Sequence, residues 1–229
     1  MKTIIIGDVH GTTHWKDILD FENPNRVIFI GDYFDGYDNN VNEIQNFKNI
    51  IQYKNYNVCE VILLIGNHDH HYFPEIGYTG TPRYNLKKAT KIEKLVNDNR
   101  SSLQIAYQLD NMLFTHAGVS KTFMDSIFGE GKWDNRIVAA ELNNLFRFNP
   151  HAFEFDGVDS HGDDISQTPI WIRPRSLVAD AIPNYLQVVG HTQFNNIKMH
   201  KNICFIDTMQ HSREYLIYDG VSLSINSLK

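Results

Sequence analysis

Residues 27–38 read VIFIGDYFDGYD and place three carboxylates directly behind a run of four apolar residues. A short β-branched and aromatic run that ends at a glycine is typical of a buried strand. Asp32, Asp35 and Asp38 then follow within seven residues. Like charges this close repel one another unless cations or hydrogen-bond donors lie between them. The stretch therefore predicts a strand that delivers acidic side chains to a site holding positive charge.

Four further apolar runs end in the same kinds of residue, nearly all of them beside a glycine. In α/β sheets, ligands bind at the carboxyl ends of strands, and glycine lets the backbone turn sharply there. Asp, Asn and His are suitable ligands for one or two divalent cations such as manganese, iron, zinc or magnesium. No cysteine belongs to the set, so a structural tetrahedral zinc is not expected. The five motifs are GDVHG (7–11), GDYFD (31–35), GNHD (66–69), HAG (116–118) and GHT (190–192).

The spacing of the apolar residues predicts an α/β fold in a single domain, residues 1–229. Strands and helices alternate in the first third, which indicates parallel βαβ units, and the strand-rich last third indicates antiparallel pairing. Apolar residues at helical spacing predict helices over 40–55 and 134–147, the second capped by Asp134, and a further candidate helix over 86–97. The predicted strands are 3–6, 27–30, 61–65, 112–115, 186–189, 202–207 and 214–219.

Composition and charge exclude several classes of function. No apolar run approaches the roughly 18 residues that span a membrane, and the N-terminus does not read as a signal peptide. The net charge of −6 and the scattered basic residues do not favour a broad nucleic-acid-binding surface. Cys59 and Cys204 lie in apolar runs, which predicts buried free thiols in a reducing compartment. We therefore expect a cytoplasmic protein.

The five motifs, in this order along almost the whole chain, resemble those of the calcineurin-like metallophosphoesterases. The resemblance is greatest to the branch of the phosphoprotein phosphatases and the bacterial dinucleoside tetraphosphatases. It implies a four-layer α-β-β-α sandwich of two mixed β-sheets with flanking helices, and two divalent metal ions at one edge. Manganese is the expected metal, with iron, zinc, nickel or cobalt as alternatives.

The resemblance also implies a role for each motif residue. Asp8 and His10 would hold the first metal, Asp32 would bridge both metals, and Asn67, His116 and His191 would hold the second. Many relatives carry a further histidine ligand at the position of Gln193, so the first metal here would have fewer protein ligands.

The chemistry implied by the resemblance is attack of a metal-bridging hydroxide on phosphorus. His68 would be the general acid that protonates the leaving group, and Asp35 would orient its ring. Asn67 would also contact substrate. The segment IWIRPRSL (170–177) resembles a Trp-x-Arg segment of bacterial and phage members, so Arg173 is the expected phosphate ligand and Arg175 the second choice.

One departure from the resemblance bears on the substrate. The phosphoprotein phosphatase branch carries an arginine directly after the carboxylate that matches Asp35, and here Gly36 and Tyr37 follow instead. Arg173, Arg175 or another basic residue would have to replace that phosphate contact.

The expected activity is hydrolysis of phosphomonoesters, either phosphoproteins at Ser/Thr or small phosphorylated molecules. The alternatives are a hydrolase of dinucleoside polyphosphates, a cyclic-nucleotide or nucleic-acid phosphodiesterase, and a binding module without turnover. The expected partner is accordingly a phosphorylated small molecule, a nucleotide or a phosphoprotein.

Overall fold

Short β-branched runs form two mixed β-sheets in the computed structural model, which describes residues 1–37, 41–78, 83–155, 157, 159 and 161–228. Asp38 lies outside the described residues. The strands are β1 (Thr3–Ile6), β2 (Arg26–Phe29), β3 (Glu60–Leu64), β4 (Leu103–Gln104), β5 (Ala106–Leu109), β6 (Met112–Thr115), β7 (Leu186–Val189), β8 (Lys198–His200), β9 (Ile203–Phe205), β10 (Glu214–Tyr218) and β11 (Leu223–Ser227). The α-helices are α1 (His14–Glu22), α2 (Glu43–Tyr56), α3 (Asn67–His70), α4 (Ala89–Asp98), α5 (Lys121–Phe128), α6 (Val138–Phe148) and α7 (Pro174–Asp180).

The first sheet has the strand order β11-β10-β1-β2-β3-β4. Strands β1 to β4 are parallel neighbours, whereas β10 pairs with β1 and β11 in antiparallel register. Helices α1 and α2 provide the crossovers between β1, β2 and β3, as the alternation in the sequence predicts. All four residues of β1 are buried, as expected of a parallel strand covered on both faces.

The second sheet has the order β5-β6-β7-β9-β8. Its central strands β6, β7 and β9 are parallel, and its two edge strands pair in antiparallel register. The prediction of mixed pairing in the last third is therefore confirmed.

Apolar side chains join these elements into four layers. Ile5 and Ile28 of the first sheet share a buried cluster with Phe114 and Val188 of the second, which places the two sheets face to face. The alternate residues of β1 and β2 form another cluster with apolar residues of α1 and α2, and α7 places Leu177 against the outer face of the second sheet. The predicted α-β-β-α sandwich is confirmed.

The helices predicted over 40–55, 86–97 and 134–147 form with shifted ends, as α2, α4 and α6. The prediction that Asp134 caps α6 is wrong. Its carboxylate accepts hydrogen bonds from the backbone and guanidinium of Arg136, and the helix begins only at Val138. Within the described ranges, no helix is both long and apolar enough to cross a membrane.

Candidate active site

The loops that carry the five motifs meet at the carboxyl ends of β1, β2, β3, β6 and β7. Direct hydrogen bonds connect them: the His191 backbone N–H donates to the Asp8 carboxylate at 3.0 Å, and the His68 N–H donates to Asp32 Oδ1 at 2.9 Å. The structure therefore brings together residues that lie up to 183 positions apart in the sequence. All six predicted metal ligands lie in this group.

Their donor atoms point toward common centres. Asp32 Oδ2 lies 3.4 Å from His10 Nε2 and 3.4 Å from His116 Nε2, so this carboxylate sits between two imidazoles from different sheets. Asn67 Oδ1 lies 3.0 Å from both His116 Nε2 and His191 Nδ1. Donor atoms so close to one another could share a divalent cation.

Backbone carbonyls set the orientation of the three histidine rings. A ring nitrogen that donates to a carbonyl is protonated, which leaves the other nitrogen of a neutral ring free to face the centre. The ring–carbonyl contacts are His10 Nδ1 with Phe34 at 2.8 Å, His116 Nδ1 with Ile30 at 3.0 Å and His191 Nε2 with Trp171 at 3.0 Å.

The carboxylates of the site are buried together without enough compensating charge. Burial raises the pKa of Asp8 and Asp32 well above the usual range, and neighbouring carboxylates add to the effect. Burial also raises the pKa of Asp207 to about 7. Asp207 Oδ1 has no hydrogen-bond partner within the described part of the chain. Divalent cations would remove this repulsion, so the residues present fit a metal centre of oxygen and imidazole ligands.

The backbone at the ligands is held in an uncommon conformation. His10, Asp32 and His191 have positive φ angles of 42°, 51° and 65°. This backbone conformation is energetically costly for residues other than glycine, and such residues concentrate at functional sites. A Cβ at Gly190 would lie 1.9 Å from Asp8 Oδ1, and a Cβ at Gly66 would lie 2.1 Å from Asp32 Oδ1. The glycines of the motifs therefore make room for the carboxylates.

Asp69 connects two of the loops, a role that sequence reasoning did not assign. Its carboxylate accepts hydrogen bonds from the backbone N–H groups of Asp32, Tyr33 and Gly66 at 2.7 to 2.8 Å. It thus fixes the end of β2 against the end of β3. Its place as the last residue of the GNHD motif was the available signal.

The predicted pair of His68 and Asp35 lies beside this centre. His68 Nδ1 is 3.0 Å from Asp35 Oδ2, and Asp35 also contacts His71 Nε2 at 2.8 Å and accepts from the Tyr72 hydroxyl at 2.6 Å. Burial opposes ionisation of Asp35, but these hydrogen bonds prevail and lower its pKa to about 2. Asp35, His68 and His71 could also hold an ion by proximity, but their mutual hydrogen bonds already satisfy the carboxylate.

A cavity of about 270 Å³ opens over His10, Asp32, Asn67 and His191. Arg173 lines it, and its Nη1 donates to the His191 carbonyl and to Thr192 Oγ1. Arg175 is exposed on α7 and does not line this cavity.

Arg83 also lines the cavity, although it belongs to no motif and sequence reasoning missed it. Its guanidinium lies 4.1 Å from the centre of the Tyr37 ring. A cationic group therefore stands beside the Gly36-Tyr37 position at which the resemblance leaves a gap. The only signal was the general need of a phosphate site for positive charge.

The fold and the donor set together define a candidate metal centre at the edge of two packed sheets. A family model for calcineurin-like phosphoesterases matches residues 1–192. The chain therefore belongs to the calcineurin-like phosphoesterase family, and the predicted resemblance is confirmed. The family assignment supports a hydrolase of phosphoesters that binds divalent metal ions.

Solved structures share the fold at low sequence identity. A cold-active protein-tyrosine phosphatase of a psychrophilic Shewanella species is 18% identical, with a TM-score of 0.63 over 100% of this chain and 80% of that one. A serine/threonine phosphatase of Saccharomyces cerevisiae is 12% identical, with a TM-score of 0.59 over 99% of this chain and 79% of that one. No curated protein matches the sequence significantly.

Proposed function

We propose that the protein hydrolyses phosphomonoesters with the help of two divalent cations. The observation that carries the proposal is the position of Asp32 Oδ2, 3.4 Å from a histidine on either side. A carboxylate so placed has a histidine on each side, so it could be a ligand of two cations at once. The two protein phosphatases with the same fold agree with a monoester substrate.

Asp8, His10 and Asp32 would hold one cation, and Asp32, Asn67, His116 and His191 would hold the other. When bound, the cations would supply a nucleophile by lowering the pKa of a water molecule and would neutralise charge on the phosphoryl oxygens. The chain itself orients the proposed ligands. Backbone carbonyls fix the rings of His10, His116 and His191, and the Asp69 carboxylate accepts hydrogen bonds from three backbone N–H groups of the motif loops.

His68 is the proton donor in this proposal. A water-derived oxygen bonds to phosphorus as the bond between phosphorus and the ester oxygen breaks. The leaving oxygen takes a proton from His68 Nε2, and the products are an alcohol and inorganic phosphate. Asp35 holds the ring by its Nδ1 at 3.0 Å, which directs Nε2 into the cavity. Arg173 lies on the cavity wall and supplies N–H donors for a phosphate oxygen.

A second candidate, hydrolysis of dinucleoside polyphosphates, is favoured by a neighbouring cavity of about 420 Å³ that shares His10. Amide side chains of α2, Gln45 and Asn49, line it and could hydrogen-bond a nucleobase. This cavity is large enough for a group attached to the phosphate.

A three-substrate assay tests the proposal. Metal content is measured on the purified protein, which is then loaded with manganese and assayed on nitrophenyl phosphate, bis-nitrophenyl phosphate and diadenosine tetraphosphate. We expect the highest kcat/KM on the monoester and its loss in Asp32→Asn. Preference for diadenosine tetraphosphate would favour the second candidate, and no hydrolysis of any ester would indicate a binding module.

A further inference from the structure

We propose that Arg83 binds the terminal phosphate of the substrate and thereby selects monoesters over diesters. This inference rests on the proposed function and assigns a specificity-determining residue to it. Arg83 lies outside every motif, so its position in space is the observation that singles it out.

The guanidinium of Arg83 lies beside the proposed proton donor. Nη2 of Arg83 lies 2.9 Å from His68 Nε2, and Nη1 donates to the Asp35 carbonyl at 3.2 Å. The Tyr37 hydroxyl lies 3.3 Å from Nη2, and the Tyr37 ring supports the guanidinium from one face. The charged group is thus held beside the proposed proton donor, at the wall of the cavity over Asp32 and Asn67.

Arg83 differs from other arginines of the chain in its charge pairing. Arg26, Arg100 and Arg136 each form an ion pair with a carboxylate. Across the part of the chain that is described, no carboxylate lies within ion-pair distance of Arg83. Its hydrogen-bonding partners are a ring nitrogen, a carbonyl and a hydroxyl, all of them neutral acceptors in these contacts.

A phosphate would compete with the neutral acceptors for the N–H groups of Arg83. A charge-assisted hydrogen bond to a phosphate oxygen is about twice as strong as a bond to a neutral acceptor. An incoming phosphate would therefore take Nη2 away from His68. The Nε2 atom, which accepts from Arg83 in the free protein, could then take up a proton from solvent and face the leaving group. Arg83 would bind the substrate and uncover the proton donor in one movement.

Monoesters and diesters differ in the number of non-bridging phosphate oxygens that Arg83 could contact. Arg173 lines the same cavity from the N-terminal end of α7, whereas Arg83 approaches from the chain that follows α3. A monoester offers three non-bridging oxygens, enough for the metal centre and for an arginine. In a diester, one of these oxygens carries a second organic group, which leaves two non-bridging oxygens and a lower charge. We therefore expect Arg83 to favour the monoester selectively.

The test compares Arg83→Gln and Arg83→Lys with Arg136→Gln, an exposed arginine that pairs with Asp134 on the surface. Manganese-loaded proteins are assayed on nitrophenyl phosphate and on bis-nitrophenyl phosphate. Inorganic phosphate is also titrated calorimetrically, which measures binding without turnover. Thermal unfolding checks that each variant remains folded.

We expect Arg83→Gln to lower kcat/KM about 100-fold on the monoester, as loss of a charged donor in an active site does, and to change the diester rate much less. The affinity for inorganic phosphate should fall about tenfold or more. Arg83→Lys should recover part of both, and Arg136→Gln should match the wild type. Equal losses on both substrates with unchanged phosphate affinity would mean that Arg83 only braces His68, and would overturn the inference.

The proposed function and this inference fail in different ways. A wild type that cleaves only the diester, or no ester, contradicts the proposed function. In that case the phosphate titration still decides whether Arg83 binds phosphate. Weaker binding by Arg83→Gln supports that contact, whereas the selection of monoesters fails with the proposed function. Equal binding by the variant, or no binding by the wild type, contradicts it.

Discussion

Two groups of residues face each other across one cavity but are held in different ways. The ligand group is the six proposed metal ligands, and the arginine rim is Tyr37, Arg83 and Arg173. The ligand residues are almost all buried, and backbone carbonyls and N–H groups fix their rings and carboxylates. The residues of the rim are half-buried or exposed. Arg83 is positioned mainly by contacts with other side chains.

In the proposed function, this difference separates the residues that carry out the reaction from those that select the substrate. Groups attached to the backbone of two sheets can move little, as expected of a site that must hold its donors within a few tenths of an ångström. Side chains that rest on one another at the surface can exchange partners when a ligand enters. Substitutions at each place should therefore affect different measured quantities.

The largest effect is expected from His68→Asn, because His68 contacts both regions. Loss of a general acid lowers turnover by roughly 10²- to 10⁴-fold. The loss should be smaller for nitrophenyl phosphate, whose leaving group needs little protonation, than for an alkyl phosphate ester. Steady-state kinetics on the two esters measures this, and equal losses on both would contradict a proton-donating role.

Gly190→Ala tests how tightly the ligand group is fixed. The added Cβ would lie 1.9 Å from Asp8 Oδ1, so the carboxylate must move. We expect manganese affinity to fall by about 10- to 100-fold, the usual effect of disturbing the groups that orient metal ligands. Titration with manganese measures it directly. An unchanged affinity would show that the backbone at this loop can relax.

Tyr72→Phe tests the support behind Asp35. It removes the hydroxyl that donates to Asp35 Oδ1 at 2.6 Å. We expect about a tenfold fall in kcat, because groups that orient a reacting side chain act at this scale. Tyr84→Phe is the matched control: its ring stacks on Tyr72 at 4.8 Å, but its hydroxyl donates to Glu93. Similar losses in both variants would point to packing rather than to Asp35.

His70→Gln should leave activity unchanged, because His70 lies outside both regions, with its ring nitrogen 3.0 Å from the Pro150 carbonyl. Burial lowers the pKa of His70 to about 4. The unfolded chain takes up this proton near pH 6.5, so it binds more protons than the folded protein below that pH, and stability falls as the pH falls from about 6.5 to about 4.

The difference between wild type and variant in the free energy of unfolding should change by about 3 kcal/mol over that range. Chemical denaturation at several pH values measures it. A difference that does not change with pH would mean that folding does not shift the pKa of His70.

The clustering of the six proposed ligands was predictable from the sequence because each lies one to four residues beyond the end of a strand. Parallel strands bring such positions to one edge of a sheet, as Asp8 after β1 and Asp32 after β2 illustrate. The face-to-face packing of the two sheets then brings His191, after β7, against Asp8. The rim was not predictable in the same way. Arg83 reaches the cavity through side-chain contacts across 15 residues, and no periodic pattern records such a contact.

The support of the site was predictable only in part. The pairing of His68 with Asp35 follows from the motifs, but the contacts of His71 and Tyr72 with the same carboxylate depend on how α3 leaves the sheet. The cap at Asp134 was wrong because a neighbouring arginine competed for its carboxylate. Local charge pairing of this kind is not visible in hydrophobic periodicity.

The contact between the loop after β1 and the loop after β7 has a consequence for how the protein folds during synthesis. Asp8 leaves the ribosome early, but its partner His191 follows 183 residues later. At usual rates of synthesis this delay is between about 10 and 40 s. Contacts so distant in sequence also form slowly. During that interval the early carboxylates must remain solvated, and the proposed metal site can be completed only after β7 has joined the second sheet.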